Sequence, residues 1–516
     1  MHENPAPAGW SAVPPADDAA FAAEPMLVAP GGSWSRARLA DTADRLAAGL
    51  AAFGIVPGDR VALHLRNGPE IACAYLACFR LGAVAVPLNL RFKQAELEHA
   101  LRRLRPRIYI GERDLFGPVA AIDASVLPAD ARFVVGAAGN LAARPWALLH
   151  GDPGAAPAPC PSDPRAPAVL LLTSGTTGVP KFVAHSLASL TEGADRLRHL
   201  DLQAGQRVAF PLPMTHISGL CLFMGALRLG YRLVLCDAAD PGAMLDSIEE
   251  HACDVMVALP AMASLLVAAQ RARARDVSSL TLCVTGGDTQ PDGLQEAWRA
   301  LSAAPLRSFW ASTEAIGSFS HAQGPGAPNR LLPGTGMRIV DEAGAPVAQG
   351  EAGEMLLRGP HVMLGYWQES GALEGLDDGW YRSGDLMRAD ASGAVRFVGR
   401  LKDLIVRGGS NISPVEVERV IAAHPAVEEA AVAGVPDPVL GQRVMGVVRL
   451  KAGADADACA AILAAASPRL ADYKLPERLF PVAELPRNAL GKVDRRSVSA
   501  MLEARLALRL PQQARA

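Results

Sequence analysis

Apolar and polar positions alternate along this chain in two rhythms. Residues 39–53, LADTADRLAAGLAAF, repeat leucine and alanine at helical spacing and stop at Gly54. DRVALHL (59–65) then reads as a strand, PEIACAYLACFRLG (69–82) as a helix ending at Gly82, and AVAVPLN (83–89) as another strand. Short apolar runs recur at 168–172, 207–211, 231–236, 254–258 and 280–285. Helices alternating with short apolar strands predict α/β sheet architecture, with parallel strands joined by helical crossovers.

The texture changes after about residue 330. GTGMRIVD, GEMLLRG and GAVRFVGR are short strand patterns separated by glycine turns, which predicts a β-rich subdomain. From 414 onward a different order appears: helix PVEVERVIAAH, strands VEEAAVAGV and QRVMGVVRLK, helix ADACAAILAAAS. The expected fold is therefore α/β, with a large N-terminal domain over 1–399, which includes the β-rich part, and a small α+β domain over 400–516. Residues 151–167, rich in Pro, Ala and Gly, read as an irregular connector.

At 516 residues the chain is too long for one ordinary core, which agrees with a division into domains. Half of it is apolar and 20% is charged, a globular composition. A formal net charge of -3 gives no basic excess for nucleic acid or an anionic membrane surface. The eight cysteines form no CxxC pair, so reduced thiols are expected rather than a zinc site or disulfide scaffold. No secretory pattern opens the chain, and the longest apolar stretch, Val255 to Ala269, is too short to span a bilayer and contains Pro260. A cytoplasmic protein without stable membrane insertion is expected.

The stretch LTSGTTGVPK (172–181) carries the most unusual chemistry. Gly175 and Gly178 let backbone approach a ligand closely, Thr173, Ser174, Thr176 and Thr177 offer hydroxyls, and Lys181 adds a cation. Such a loop can wrap a polyphosphate, although surface loops of this composition are also common. It is not a Walker A loop, because the G-x-x-x-x-G-K-[ST] spacing is missing.

Downstream lie FWASTEA (309–315), YRSGDL (381–386), GRLKDLIVRGGSNISPVEVE (399–418) and NALGKVDR (488–495). In this order and composition the set resembles the adenylate-forming superfamily of acyl- and aryl-CoA synthetases, luciferases and peptide-synthetase adenylation domains. The resemblance runs from about residue 30 to about residue 500. It implies a two-step chemistry. A carboxylate attacks the α-phosphorus of ATP, giving acyl-AMP and pyrophosphate, and a thiol then displaces AMP.

By that resemblance, the loop 173–181 holds the β- and γ-phosphates, Thr313 contacts the α-phosphate, and Glu314 with Thr176 holds Mg²⁺. Gly286 and Gly287 lie beside the adenine and the acyl group, followed by Asp288 where a small residue is usual. Trp310 flanks the adenine in a place where tyrosine, followed by glycine rather than Ala311, is commoner. Asp385 accepts from the ribose hydroxyls, and Arg400 assists at the ribose or phosphate. Lys492 bridges the carboxylate and the α-phosphate during adenylation. Lys402 is the pivot about which the small domain turns, bringing Gly408 and Gly409 to a pantetheine tunnel. By residue type alone, Glu314 reads as a solvated acid, Trp310 as a core residue, and Asp385 and Lys492 as turn residues.

His216, in PLPMTHISGLCLFMGAL (211–227), fits the histidine of the acyl-pocket segment in many acyl- and aryl-CoA ligases, with Thr215 replacing the usual aromatic. Amino-acid-activating relatives tend to carry Asp at this position, which argues against an amino-acid substrate. Leu220, Phe223 and Met224 suggest an apolar acid, though they also suit a helix core. The implied function is an acid–CoA ligase using ATP, Mg²⁺ and coenzyme A on a small-molecule carboxylic acid, aromatic or medium- to long-chain with dicarboxylates also open, as a monomer or homodimer. The alternatives are an acyl-AMP ligase that loads an acyl carrier protein, and a non-enzymatic nucleotide-binding relative.

Overall fold

The computed structural model describes residues 22–157, 159–160, 163–173, 181–287, 293–320, 328–407, 410–437, 439–454, 458–487 and 492–507. The predicted helices and strands are present with shifts of one to three residues at their ends. Residues 39–52 lie in helix Arg36–Ala52, capped by the Ser35 side chain on the Arg38 N–H, and residues 69–81 form helix Pro69–Leu81, which has proline in its first turn and ends at Gly82.

The alternating pattern builds two sheets. Among the described residues, a seven-stranded sheet runs in the order Leu306–Phe309, Leu282–Gly286, Val255–Ala258, Arg207–Phe210, Arg232–Leu235, Pro25–Ala29, Gly32–Ser35. All neighbours in it are parallel except the last pair. A nine-stranded sheet holds Arg60–His64, Val84–Pro87, Ile108–Glu112 and Val169–Thr173 near its middle. Strand periodicity shows which face of a strand is buried but not which sheet it joins.

The largest buried cluster draws on both sheets, with Val61, Leu63 and Val169 from one and Val208, Leu233 and Val284 from the other. Helices Arg36–Ala52, Pro69–Leu81, Leu187–Asp195 and Ile217–Leu229 contribute Leu46, Leu76, Leu190 and Phe223 to the same cluster. Near-continuous apolar strands are what sheets covered by helices require.

The β-rich region forms a four-stranded antiparallel sheet, Gly336–Val340, Ala352–Arg358, Tyr381–Ala389 and Val395–Arg400. It is not a closed unit, however. Gly365–Trp367 leaves it and pairs antiparallel with Lys181–His185, extending the nine-stranded sheet and covering that strand's edge. After Arg400 comes a short 3-10 turn, Leu401–Asp403, and then a separate five-stranded sheet beginning at Ile405. Its core holds Ile405, Val417, Ile421, Val432, Val444, Ile462 and Leu479.

None of the eight cysteines is disulfide-bonded. Among the described residues, no helix is long and apolar enough to cross a membrane.

Candidate active site at the carboxyl ends of the strands

In a parallel sheet the loops that leave the carboxyl ends of the strands gather at one edge, where ligands bind. Four adjacent strands of the seven-stranded sheet end here. His216 lies beyond Arg207–Phe210, Leu259 follows Val255–Ala258, Gly287 follows Leu282–Gly286, and Trp310 follows Leu306–Phe309.

The glycine pair is needed for steric reasons. A Cβ on Gly286 would stand 2.7 Å from the Phe309 ring of the neighbouring strand. Gly287 has φ +78°, the left-handed region that side chains rarely adopt. Its carbonyl oxygen accepts a hydrogen bond from Lys492 Nζ. The lysine thus reaches from beyond the five-stranded sheet to the edge of the seven-stranded one. The chain near Lys492 is anchored at Arg487, Val493 and Arg495. Arg487 and Val493 form a β-bridge, and Arg495 Nη2 bonds Glu418 Oε2 at 2.8 Å while also pairing with Asp403.

His216 stands in extended conformation just before helix Ile217–Leu229, and its side chain makes no capping hydrogen bond to it. Burial first, and the Lys492 charge second, hold its imidazole below the usual histidine range, so it is neutral at pH 7. Leu220, Phe223 and Met224 are buried in the core with no exposure, so they carry no information about an acid pocket.

The segment Thr313–Ile316 is held by backbone. Glu314 O accepts from Met363 N at 2.8 Å, and Ala315 bridges Val362. His185 supports it from beneath. Its Nε2 donates to the Thr313 carbonyl at 2.7 Å, and its Nδ1 faces the Ser189 hydroxyl at 3.0 Å. Complete burial pushes this imidazole down to about 4. Glu314 lies against two tyrosines. Tyr366 donates to its Oε1 at 3.4 Å, and a bond from Tyr381 opposes the burial that raises its carboxyl above the ordinary range.

Thr173 and Lys181 are paired residues of an antiparallel hairpin, and Lys181 Nζ lies 4.6 Å from the centre of the Tyr366 ring, a cation–π contact. One aromatic ring therefore touches both Lys181 and Glu314. Ser174, Gly175, Thr176, Thr177, Gly178, Asp288, Gly408 and Gly409 lie outside the described residues.

Asp385 and Arg400 face each other across paired antiparallel strands, with Arg400 Nε 3.3 Å from Asp385 Oδ1. The other carboxylate oxygen accepts from Trp310 Nε1 at 2.7 Å. Burial raises the Asp385 carboxyl, and the Arg400 charge and the Trp310 bond oppose it. The structure thus gathers Trp310, Asp385 and Arg400 into one group, Thr313, Glu314 and Lys181 into a second, and Gly287, His216 and Lys492 into a third. Trp310 and Glu314 share one short segment, which joins the first two groups.

The chain matches the AMP-binding enzyme family model over residues 11–367 and the AMP-binding enzyme C-terminal domain over residues 416–492. The chain belongs to the AMP-binding enzyme family. Among its relatives, the indoleacetate–CoA ligase of Aromatoleum aromaticum is 34% identical over 484 residues, 91% of this chain and 93% of the relative. The medium-chain fatty-acid–CoA ligase of Escherichia coli is 32% identical over 506 residues, covering 90% and 85%. The crystal structure of the anthranilate CoA ligase AuaEII with anthranoyl-AMP superposes with a TM-score of 0.85 at 25% identity, covering 99% of this chain and 100% of that one. This AMP-binding enzyme is an AMP-forming acid–thiol ligase.

Residues outside the quoted motifs also shape the site. Asn67, just past strand Arg60–His64, donates to Leu212 O at 2.8 Å and accepts from Met214 N at 2.7 Å, and Tyr75 donates to Met214 O at 2.7 Å. Together they clamp the backbone that leads to His216. His185 had one signal in the sequence, a polar side chain closing the apolar run FVAH, whereas Asn67 had none.

Proposed function

We propose that this AMP-binding enzyme is an ATP-dependent carboxylic acid–CoA ligase. It activates an aromatic or medium- to long-chain acid as acyl-AMP, releases pyrophosphate, and passes the acyl group to the thiol of coenzyme A. The observation that carries this reading is the bond from Lys492 to the Gly287 carbonyl. An ammonium held there stands where two anions, carboxylate and α-phosphate, must meet, and its charge counts most in the transition state. The relatives named for indoleacetate and medium-chain fatty acid support this range of acids.

In this reading Trp310 flanks the adenine, with Asp385 and Arg400 at the ribose. Thr173 to Gly178 and Lys181 take the β- and γ-phosphates, Thr313 meets the α-phosphate, and His216 and the Gly286–Gly287 pair border the acid. Residues 1–399 and 400–516 act as two bodies pivoting at Lys402, and Gly408 and Gly409 line the thiol's path. Magnesium is held by one or two carboxylates together with substrate phosphates, rather than by an all-protein cage. The single Glu314 carboxylate fits that requirement, and among the described residues no cluster of three His, Cys, Asp or Glu forms such a cage. Glu314 and Thr176 would hold the ion, which would offset charge on the polyphosphate.

The test is a pyrophosphate-release screen across carboxylic acids, with and without coenzyme A. AMP and pyrophosphate should form, with thioester product appearing only when coenzyme A is added. Formation of ADP and phosphate instead would exclude the two-step scheme. Thioester formation only with a phosphopantetheinylated carrier protein would replace coenzyme A as the acceptor.

A further inference from the structure

Asp385 is 6% exposed, and its carboxylate is held from two sides. Trp310 Nε1 sits 2.7 Å from Oδ2, and Arg400 Nε lies 3.3 Å from Oδ1. An ionised carboxylate offers about four lone-pair sites. The Trp310 bond takes one site on Oδ2, and Arg400 lies beside Oδ1 as an ion pair, so each oxygen keeps room to accept a hydroxyl. Two acceptor sites side by side on one oriented group match two hydroxyls on adjacent carbons.

The two holders are not equivalent. The Arg400 side chain is 45% exposed, so its longer contact is screened by water. The Trp310 ring is fixed edge-on to Phe319, with centroids 5.4 Å apart and planes at 76°. An indole N–H donates only, and it does so in the ring plane, so a fixed ring gives a fixed direction. Without that donor the carboxylate could rotate about its Cβ–Cγ bond, and its two vacant sites would no longer face one way.

We propose that Trp310 is a positioning residue that orients the Asp385 carboxylate toward the neighbouring ribose hydroxyls of the nucleotide, and so sets the enzyme's preference for ribonucleotides over deoxyribonucleotides. This rests on the reading of Asp385 as the ribose acceptor. It adds to the ring's place beside the adenine a second task, performed by its N–H.

The test measures binding of ATP and of 2′-deoxy-ATP to the full-length protein by titration calorimetry, for the wild type, Trp310→Phe and Asp385→Asn. Phenylalanine keeps an aromatic face and loses the donor. A partly unfolded variant lowers the active fraction for both nucleotides alike, so the ratio of their Kd values reports on the site alone. The wild type should prefer ATP, Asp385→Asn should bring the ratio close to one, and Trp310→Phe should shrink it by roughly threefold to tenfold, the loss expected for one ordinary hydrogen bond. A Trp310→Phe ratio equal to the wild type, with Asp385→Asn collapsed, would overturn the proposal and leave Asp385 as ribose acceptor. A ratio unchanged by Asp385→Asn would overturn both.

Discussion

Glu314 shows how local burial prepares a single side chain. Its carboxyl is raised by desolvation, while hydroxyls from Tyr366 and Tyr381 favour the charged form. A nearby cation would favour that form further. Glu314→Gln keeps the shape and a hydrogen-bonding oxygen but loses the charge. We predict that the variant forms acyl-AMP at least about 100-fold more slowly and needs more Mg²⁺ for half-maximal rate, a loss comparable to removing one preorganised electrostatic group. Pyrophosphate release over a magnesium titration checks this, and an unchanged magnesium dependence would remove Glu314 from the metal site.

Elements carry these residues to a common edge. Gly286 and Phe309 are register partners on adjacent parallel strands, which makes the sequence-distant GG and FWASTE motifs neighbours. The strands and helices were readable because each repeats its own apolar period. The division into two sheets was not, and neither was the return of Gly365–Trp367 to the nine-stranded sheet, because long-range pairing leaves no local mark. The Asn67 clamp and the His185–Thr313 bond were hidden for the same reason, each joining residues more than a hundred positions apart. Leu220, Phe223 and Met224 could have served either pocket or core by pattern, and packing placed them in the core.

The 3-10 turn Leu401–Asp403 is the short link between the four-stranded and five-stranded sheets. If the small body must turn there between half-reactions, Lys402→Pro, which fixes φ, should slow thioester formation from acyl-AMP by about tenfold or more while sparing adenylation. Single-turnover assays of each half-reaction measure this, and equal rates for thioester formation would refute a pivot at Lys402.

At the scale of the molecule, buried histidines link stability to pH. Burial lowers His64 and His185 to about 4 and His361 to about 3, so each stays neutral in the folded chain and takes up protons on unfolding below about pH 6.5. Their contribution is complete above that pH and is lost as pH falls toward 4, or toward 3 for His361. Each group contributes a slope of up to about 1.4 kcal/mol per pH unit in that window. His185→Gln cannot titrate and keeps a donor for the Thr313 carbonyl. Its unfolding free energy, from denaturant titrations between pH 6.5 and 4.5, should therefore fall less steeply than that of the wild type. Parallel curves would show that His185 is not held neutral by the fold.

The molecule as a whole is arranged so that a lysine from its last segment meets the strand ends of its main body. Separate assay of the two half-reactions in Lys492→Ala tests this arrangement most directly. Acyl-AMP formation should fall by about 100-fold to 1,000-fold while thioester formation from supplied acyl-AMP persists near the wild-type rate. Equal loss of both half-reactions, or adenylation that survives the substitution, would contradict it.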